Sequence, residues 1–383
     1  MRAAAQIAVI SLGLAGALAS APASAADPET FAIGGIFSMT GPAPHYGEVM
    51  SRASEIAIEE INAKGGIDGI KLQLFIEDHK SGDVQAAVAG FNRLVSLHNA
   101  QVILSSFSGP TVAIAPLSKE KQILVLNGGG VSPKMVGVSP YMFHNRSLAS
   151  DLAGAIAHRA KERGFSRMAQ IAIKDEFGDS TIAATNEAWK KLGRETVATE
   201  QFPNDAANID TQVAKLRASN PDVIADWPTS PQSGMVVKRL REIGMNQPIE
   251  AMEWTPDDMK VAGKYAEGVE VVTDYFAPTA DNPWGQHFFD AYKAKYNDEP
   301  DFYAANYYEA VYIVAEVIRR ARAKGGDYWN GAKLAEALRD NPSFDSVYGG
   351  KLNFKANGVA LKRVGLLRVE NGQLKFQGLI EAE

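Results

Sequence analysis

The chain has 383 residues, 46% of them apolar, with 39 Lys and Arg against 45 Asp and Glu, a net charge of −6 at neutral pH. That acidic balance argues against nucleic acid or an anionic membrane surface as partner, and the length is enough for two domains, each with its own core. Cysteine is absent, which excludes disulfides, thiolate metal sites and cysteine nucleophiles together.

Met1-Arg2 is a minimal positive start, 3–19 is apolar apart from Gln6 and Ser11, and Ala23-Ser24-Ala25 has the small-x-small form of a cleavage site. The apolar run falls short of the roughly 20 residues of a membrane span and lacks flanking anchors, so 1–25 reads as a cleaved signal peptide. Without Arg2 the 39 basic residues become 38 against 45 acidic ones, a net charge of about −7. No cysteine is available for a lipid anchor, and the expected location is a periplasm.

Phe31, Ile33, Ile36 and Phe37 form a short apolar run ended by Thr40-Gly41-Pro42, a buried strand leading into a turn. Met50, Ala53, Ala57, Ile58 and Ile61 follow at helical spacing, and Gly65-Gly66 closes that helix. Leu72, Leu74 and Ile76 alternate with polar residues as a second strand, completing a β-α-β unit whose strand-to-helix turn is a place for ligands. Strands near 101–105 and 123–126 and helices near 83–98 and 110–120 continue the alternation. A second set begins with a strand at 168–173 and runs through strands near 195–202, 222–226, 248–252 and 269–273, with helices near 179–192, 208–218, 232–243 and 257–263. Phe143-His144-Asn145-Arg146-Ser147 hands the chain from the first set to the second through a helix at 148–163. After Tyr275-Phe276 it returns through helices near 284–297 and 302–323. The shared grammar predicts an α/β protein of two similar lobes. The adjacent pairs Glu59-Glu60 and Asp257-Asp258 read as solvated helix surface.

Between Ser38 and Lys80 four elements stand in order: Ser38-Met39-Thr40-Gly41-Pro42 at the strand exit, Tyr46-Gly47 opening the helix, Ile61-Asn62-Ala63-Lys64-Gly65-Gly66-Ile67 closing it, and Glu77-Asp78 ending the next strand. In these the chain resembles the periplasmic solute-binding proteins of the branched-chain (Leu/Ile/Val) amino acid type, which feed ABC importers. The likeness covers nearly the whole chain after the leader. It implies a type I periplasmic binding fold: two doubly wound Rossmann-like lobes, 26–146 with 276–364 and 147–275 with 365–383, joined by three hinge crossovers, the third near Arg363-Val364-Gly365. Such lobes close on a ligand like a clam shell. It also implies a monomer without cofactor, a small-molecule carboxylate as ligand and an inner-membrane ABC permease as partner.

Candidate ligand contacts lie at strand-to-helix turns. Ser105-Ser106-Phe107-Ser108-Gly109-Pro110-Thr111 starts a helix, where a hydroxyl and free N–H groups make a carboxylate site. The resemblance places that grip on Ser108 and on Gly129, Gly130 and Val131, with Val131 where the family often has threonine. The plainer reading is an N-capping serine and a tight glycine turn, and the two are compatible. Neither G-x-G-x-x-G nor G-x-x-x-x-G-K-[ST] occurs, which sets phosphate aside. On the second lobe Phe177 falls where the family usually has a tyrosine, and Asp226-Trp227-Pro228-Thr229-Ser230 and Glu253-Trp254-Thr255 follow later strands.

From the resemblance, Glu253, with Asp226 in reserve, would pair with an α-ammonium, and Thr229 joins the contacts. Trp227, with Phe177, Trp254 and Tyr46, would line the cleft with rings, although each ring alone is equally at home in a core. Tyr308 matches a family tyrosine on the returning helix, with packing on a helix face as the alternative. The expected ligand is a hydrophobic, branched-chain or aromatic amino acid. An amine-free aromatic acid, or an amide or urea bound by a sensor of the same fold, is the alternative. Enzyme motifs such as G-x-S-x-G and H-E-x-x-H are missing, and the 6 histidines, at 45, 79, 98, 144, 158 and 287, show no metal-ligand spacing. The sequence therefore nominates no catalytic residue and no metal site.

Overall fold

The computed structural model describes residues 29–325 and 328–380; the expected signal peptide at 1–25 lies outside them. Strands β1 (Thr30–Phe37), β2 (Lys71–Asp78), β3 (Val102–Ser105), β4 (Leu124–Asn127) and β5 (Met142–His144) form a parallel sheet in the order β2-β1-β3-β4-β5. Helices α1 (Pro44–Ala63), α2 (Val84–His98) and α3 (Ser108–Lys121) make its first three crossovers. Helix α4 (Ala149–Glu162) then leads to a second sheet. There β6 (Met168–Ile173), β7 (Ala198–Phe202), β8 (Val223–Asp226), β9 (Ile249–Met252) and β10 (Glu270–Asp274) repeat the same order, β7-β6-β8-β9-β10. The connecting helices are α5 (Glu176–Lys191), α6 (Asp210–Ala218), α7 (Gln232–Glu242) and α8 (Pro256–Ala262).

Helices α9 (Pro283–Tyr296), α10 (Phe302–Lys324) and α11 (Gly331–Asp340) return to the first sheet, where α10 packs along α1. Short strands β11 (Ser343–Asp345), β12 (Lys351–Phe354) and β13 (Ala360–Leu361) form a small antiparallel sheet. Then β14 (Val364–Glu370) joins β10 antiparallel, and β15 (Gln373–Ile380) closes that edge. Helix α11 and the sheet β11–β13 have no counterpart in the sequence reading.

Alternation along each strand feeds two cores, as a sheet covered on both faces requires. Ile33, Phe37, Leu104 and Leu126 pack under α1 and α10, while Ile36, Ile103 and Val125 pack under α2 and α3. In the second sheet Ile171, Ile224 and Ala251 face α6 and α7, and Met168, Val223, Ala225 and Met252 face α4 and α5. The chain winds outward in both directions from β1 and from β6. Crossovers therefore leave opposite faces at β1/β3 and at β6/β8, and a crevice opens at the carboxyl ends of these strands.

Two surface expectations give way to structural roles, one buried and one partly buried. Asp258 is 1% exposed, and its carboxylate accepts the N–H groups of Thr255 (2.9 Å) and Gly234 (3.0 Å), capping α8 and holding α7. Glu60 accepts the hydroxyls of Tyr308 (2.7 Å) and Tyr312 (2.6 Å), so α10 fills its face of α1.

Candidate functional site

A cavity of about 250 Å³ lies between the carboxyl ends of the two sheets. Tyr46, Gly82, Val84, Phe107, Ser108, Gly109, Pro110, Gly129 and Tyr303 line one side, and Asp175, Glu176, Phe177 and Thr229 the other. Four larger depressions, of about 440 Å³ beside Tyr312 and Glu316, 640 Å³ beside Tyr348 and Arg363, 430 Å³ beside His158 and Glu162 and 570 Å³ beside Trp254 and Phe302, take no residue from the first turns of α3 and α5. The smaller cavity is therefore the candidate site.

Helix α3 begins one turn of chain after β3. Its N-cap residue, Phe107, has φ of +60° and no side chain able to cap, so the first N–H groups of the helix receive no side-chain acceptor. The Phe107 ring packs edge-on against Tyr46 at 5.4 Å and beside His79 at 4.9 Å, contacts that hold this disfavoured backbone in place. Ser108 Oγ accepts the N–H groups of Val131 (3.1 Å) and Ser132 (3.2 Å). Two acceptor lone pairs are thereby used, and the single hydroxyl hydrogen remains to be donated.

The turn after β4 is folded on Asn127, whose Oδ1 accepts from Gly129 (3.2 Å) and Gly130 (2.7 Å). Glycine is required at 130 because a Cβ would come within 2.9 Å of the Phe107 carbonyl oxygen. Gly130 is not part of the cavity lining, and Val131 is fully buried in the core under α4 and α5.

Helix α5 starts differently. Asp175 is its N-cap and accepts the Gly178 N–H at 2.9 Å. Burial pushes the Asp175 carboxyl up to about 6, against the pull of the Gly178 and Phe177 N–H groups. Glu176 reaches across the cleft, accepting the Ser132 hydroxyl (2.7 Å) and the Lys134 ammonium (2.8 Å). Phe177 offers a partly exposed ring, and the buried Thr229 hydroxyl has no partner within the protein. The Tyr46 hydroxyl accepts the Ser230 N–H at 2.9 Å, a second bond across the cleft.

Behind the cavity wall, the Tyr303 hydroxyl donates to Glu253 at 2.7 Å, and Glu253 also pairs with Arg146. Arg146 donates further to the carbonyls of Gly129 (2.6 Å) and Ser147 (2.8 Å). Burial works against the Arg146 charge, but Glu253, Tyr303 and Asp274 outweigh it and hold the guanidinium charged, its pKa raised. Burial raises the Glu253 carboxyl, and Arg146 and the Tyr303 hydroxyl pull it back.

Of the residues nominated from sequence, Tyr46, Ser108, Gly129, Phe177 and Thr229 come together around the cavity. Gly130, Val131, Trp227, Glu253 and Tyr308 do not line it. Trp227 is fully buried under α4 and α5, its indole N–H on Gln170 Oε1 at 3.2 Å. Trp254 is likewise a core residue, donating to Ser233 at 2.6 Å. Tyr308 stacks on Phe288 at 4.2 Å in the interior of the first lobe. Asp226 is buried and accepts the Ser233 hydroxyl at 2.6 Å. The sequence reading passed over Phe107, Tyr303 and the Asp175-Glu176 pair as cavity walls. Tyr303 shares a helix with Tyr308, but five residues place it on another face.

Among the described residues there is no group of three or more His, Cys, Asp or Glu side chains placed to hold a metal, and no helix long and apolar enough to cross a membrane. The family model of the periplasmic binding protein matches residues 30–373. The Leu/Ile/Val-binding protein of Escherichia coli (strain K12) is 25% identical over 363 residues, covering 91% of this chain and 97% of that one. Among solved structures, a leucine binding protein from Thermotoga maritima superposes with a TM-score of 0.82 at 23% identity, over 92% of this chain and 99% of that one. An ABC transporter solute binding protein from R. palustris in complex with benzoate gives 0.81 at 18% identity, over 91% and 96%. The repeated five-strand winding, the crevice between two sheets and these likenesses agree on a type I periplasmic binding fold. The chain belongs to the periplasmic binding protein family.

Proposed function

We propose that this protein takes a small carboxylate with an apolar or aromatic body into the cavity between its sheets and delivers it to the permease of an ABC importer. The observation that carries this reading is the start of α3, where the first N–H groups have no side-chain cap and Ser108 keeps one hydrogen to donate at the cavity wall. A helix N-terminus with free donors is a ready anion site. Tyr46, Phe107, Phe177 and Tyr303 then surround the apolar part, and Thr229 supplies a hydroxyl from the opposite side. A volume of about 250 Å³ lies just under the usual range for ligand pockets, so the ligand is small. A leucine, isoleucine or valine receptor and a benzoate receptor both stand among the similar proteins, and the two ligand types share a carboxylate on an apolar body.

In this reading residues 26–146 with 276–364 and 147–275 with 365–383 act as two lobes, hinged at the segments after β5, after β10 and between β13 and β14. The leader at 1–25 sends the chain to the periplasm. Calorimetry with benzoate, 3-phenylpropanoate, phenylalanine and leucine, each beside its methyl ester, tests the carboxylate. The acid of the best-bound pair should win by at least about tenfold, since hydrogen bonds to a charged acceptor contribute roughly 1.5–3 kcal/mol. Equal affinity for acid and ester would overturn the proposal.

A further inference from the structure

The turn between β2 and α2 sets a histidine against the start of α3. His79 is fully buried, and its backbone N–H donates to the Phe37 carbonyl at 2.9 Å. Its Nε2 lies 2.8 Å from Ser106 Oγ, and its Nδ1 lies 3.0 Å from the Gly82 nitrogen. The Ser106 hydroxyl in turn donates to the Ile36 carbonyl at 2.9 Å. A carbonyl only accepts and a hydroxyl has a single hydrogen, so Ser106 must accept from the imidazole. The bonds therefore assign one tautomer: Nε2 carries the hydrogen, and Nδ1 accepts the Gly82 N–H. Burial pushes the imidazole down to about 4, so the ring is uncharged at neutral pH.

The same ring packs beside Phe107, with centroids 4.9 Å apart. Phe107, the N-cap of α3, holds φ of +60° with ψ of 147°, a region that glycine alone enters freely. Were it to relax to a negative φ, the chain beyond it would turn, carrying the Ser108 hydroxyl and the first N–H groups of α3 away from the cavity. Gly82, Phe107, Ser108 and Gly109 all line that cavity, and His79 does not. The imidazole touches the first two and acts on the others through Phe107.

We propose that His79 is the positioning residue of the anion site: bonded to Ser106 and Gly82 and packed on Phe107, it fixes the backbone that aims the start of α3 into the cavity. This rests on the carboxylate reading of the cavity and adds the residue that sets its geometry.

The test takes the best-bound of benzoate, 3-phenylpropanoate, phenylalanine and leucine beside its methyl ester, and reads by calorimetry the ratio of acid to ester affinity. The two share an apolar body and differ in charge, so the ratio reports the anion site. It should be at least about tenfold in the wild type and fall below about threefold in His79→Leu, which has neither donor nor acceptor. His79→Gln, whose amide nitrogen can stand where Nε2 does, should stay within about threefold of the wild-type ratio. Glycine adopts φ of +60° freely, so adding Phe107→Gly to His79→Leu should bring the ratio back to about tenfold, although both ligands lose a ring contact. General loosening of the fold would weaken acid and ester together and would not be cured by a glycine. Nitrogen-15 spectra of the wild type at neutral pH should show a protonated Nε2 and a bare Nδ1 on His79.

A wild-type ratio in His79→Leu, or the opposite tautomer in the spectra, would overturn the role given to His79. If His79→Leu does not fold, His79→Asn, which can accept the Gly82 N–H but is too short to reach Ser106 as well, replaces it with the same expected loss. A ratio that Phe107→Gly does not restore would overturn the route through the Phe107 backbone. Equal affinity for acid and ester in the wild type removes the carboxylate reading itself, whereas a wild-type preference untouched by the His79 changes removes only the positioning. Failure of all four acids to bind at millimolar concentration would overturn both.

Discussion

Helices α3 and α5 begin at the same cavity from opposite sides, each directly after a parallel strand, and they treat their first N–H groups in opposite ways. The start of α5 is filled by its own Asp175, and its neighbour Glu176 is spent on Ser132 and Lys134 across the cleft. The start of α3 has a phenylalanine in the capping position and a serine whose hydrogen is unspent. A helix that carries its own anion has nothing left to offer a ligand anion, while one without a cap does. In the proposed function two otherwise equivalent turns thus divide the labour: one binds charge, and the other closes the cleft.

Making α3 resemble α5 is the strongest way to break this contrast. Ser108→Asp would place a carboxylate over the first turn of α3, and 3-phenylpropanoate binding should fall by more than about a hundredfold, the charged hydrogen bonds being lost and repulsion added. Retained affinity in a variant with native circular dichroism would mean that the anion sits elsewhere.

The converse change is smaller. Asp175→Asn keeps a good cap but removes the charge. The wild-type carboxyl titrates at about 6 against an ordinary value of 3.8, so the folded state holds that proton more tightly than the unfolded chain does. Asp175 therefore costs nothing below about pH 4, and its penalty grows as pH rises through about 6. At about 1.4 kcal/mol per unit, the wild type should fall behind Asp175→Asn by roughly 1–3 kcal/mol between pH 4 and 7. Melting curves of the ligand-free proteins that run parallel with pH would count against the burial assigned to this group.

Thr229→Val is the mildest of the three. Removing a buried hydroxyl without a partner should stabilise the ligand-free protein by about 1 kcal/mol and weaken ligand binding by about threefold to fivefold. A loss of stability instead would show that the hydroxyl is satisfied within the protein.

How much of this was legible in the sequence follows from the range of each contact. The two-lobe α/β architecture was readable, because apolar runs, helical spacing and turn residues are local signals repeated along the chain. Ser108, Gly129, Phe177 and Thr229 were readable for the same reason, since each follows a strand. Trp227 and Thr229 share one turn, and only the packing decides that the indole goes under α4 and α5 while the hydroxyl two residues on reaches the cavity. Tyr303 was hidden because its helix arrives from the far end of the chain, with no local mark to show which face meets α1 and the cavity. The Arg146–Glu253 pair joins residues 107 positions apart, and no spacing rule links them. Glu253, nominated from the resemblance to hold a ligand ammonium, has the protein's own Arg146 as its partner. Strands β11–β13, two to four residues long, are too short to carry a periodic pattern.

A crystal structure of the protein with 3-phenylpropanoate tests the central claim most directly. The account predicts the ligand carboxylate within about 3.2 Å of Ser108 Oγ and the Gly109 nitrogen, the ring among Tyr46, Phe107, Phe177 and Tyr303, and the Arg146–Glu253 pair unbroken. A carboxylate bound instead to Arg146, with Glu253 displaced, would contradict it.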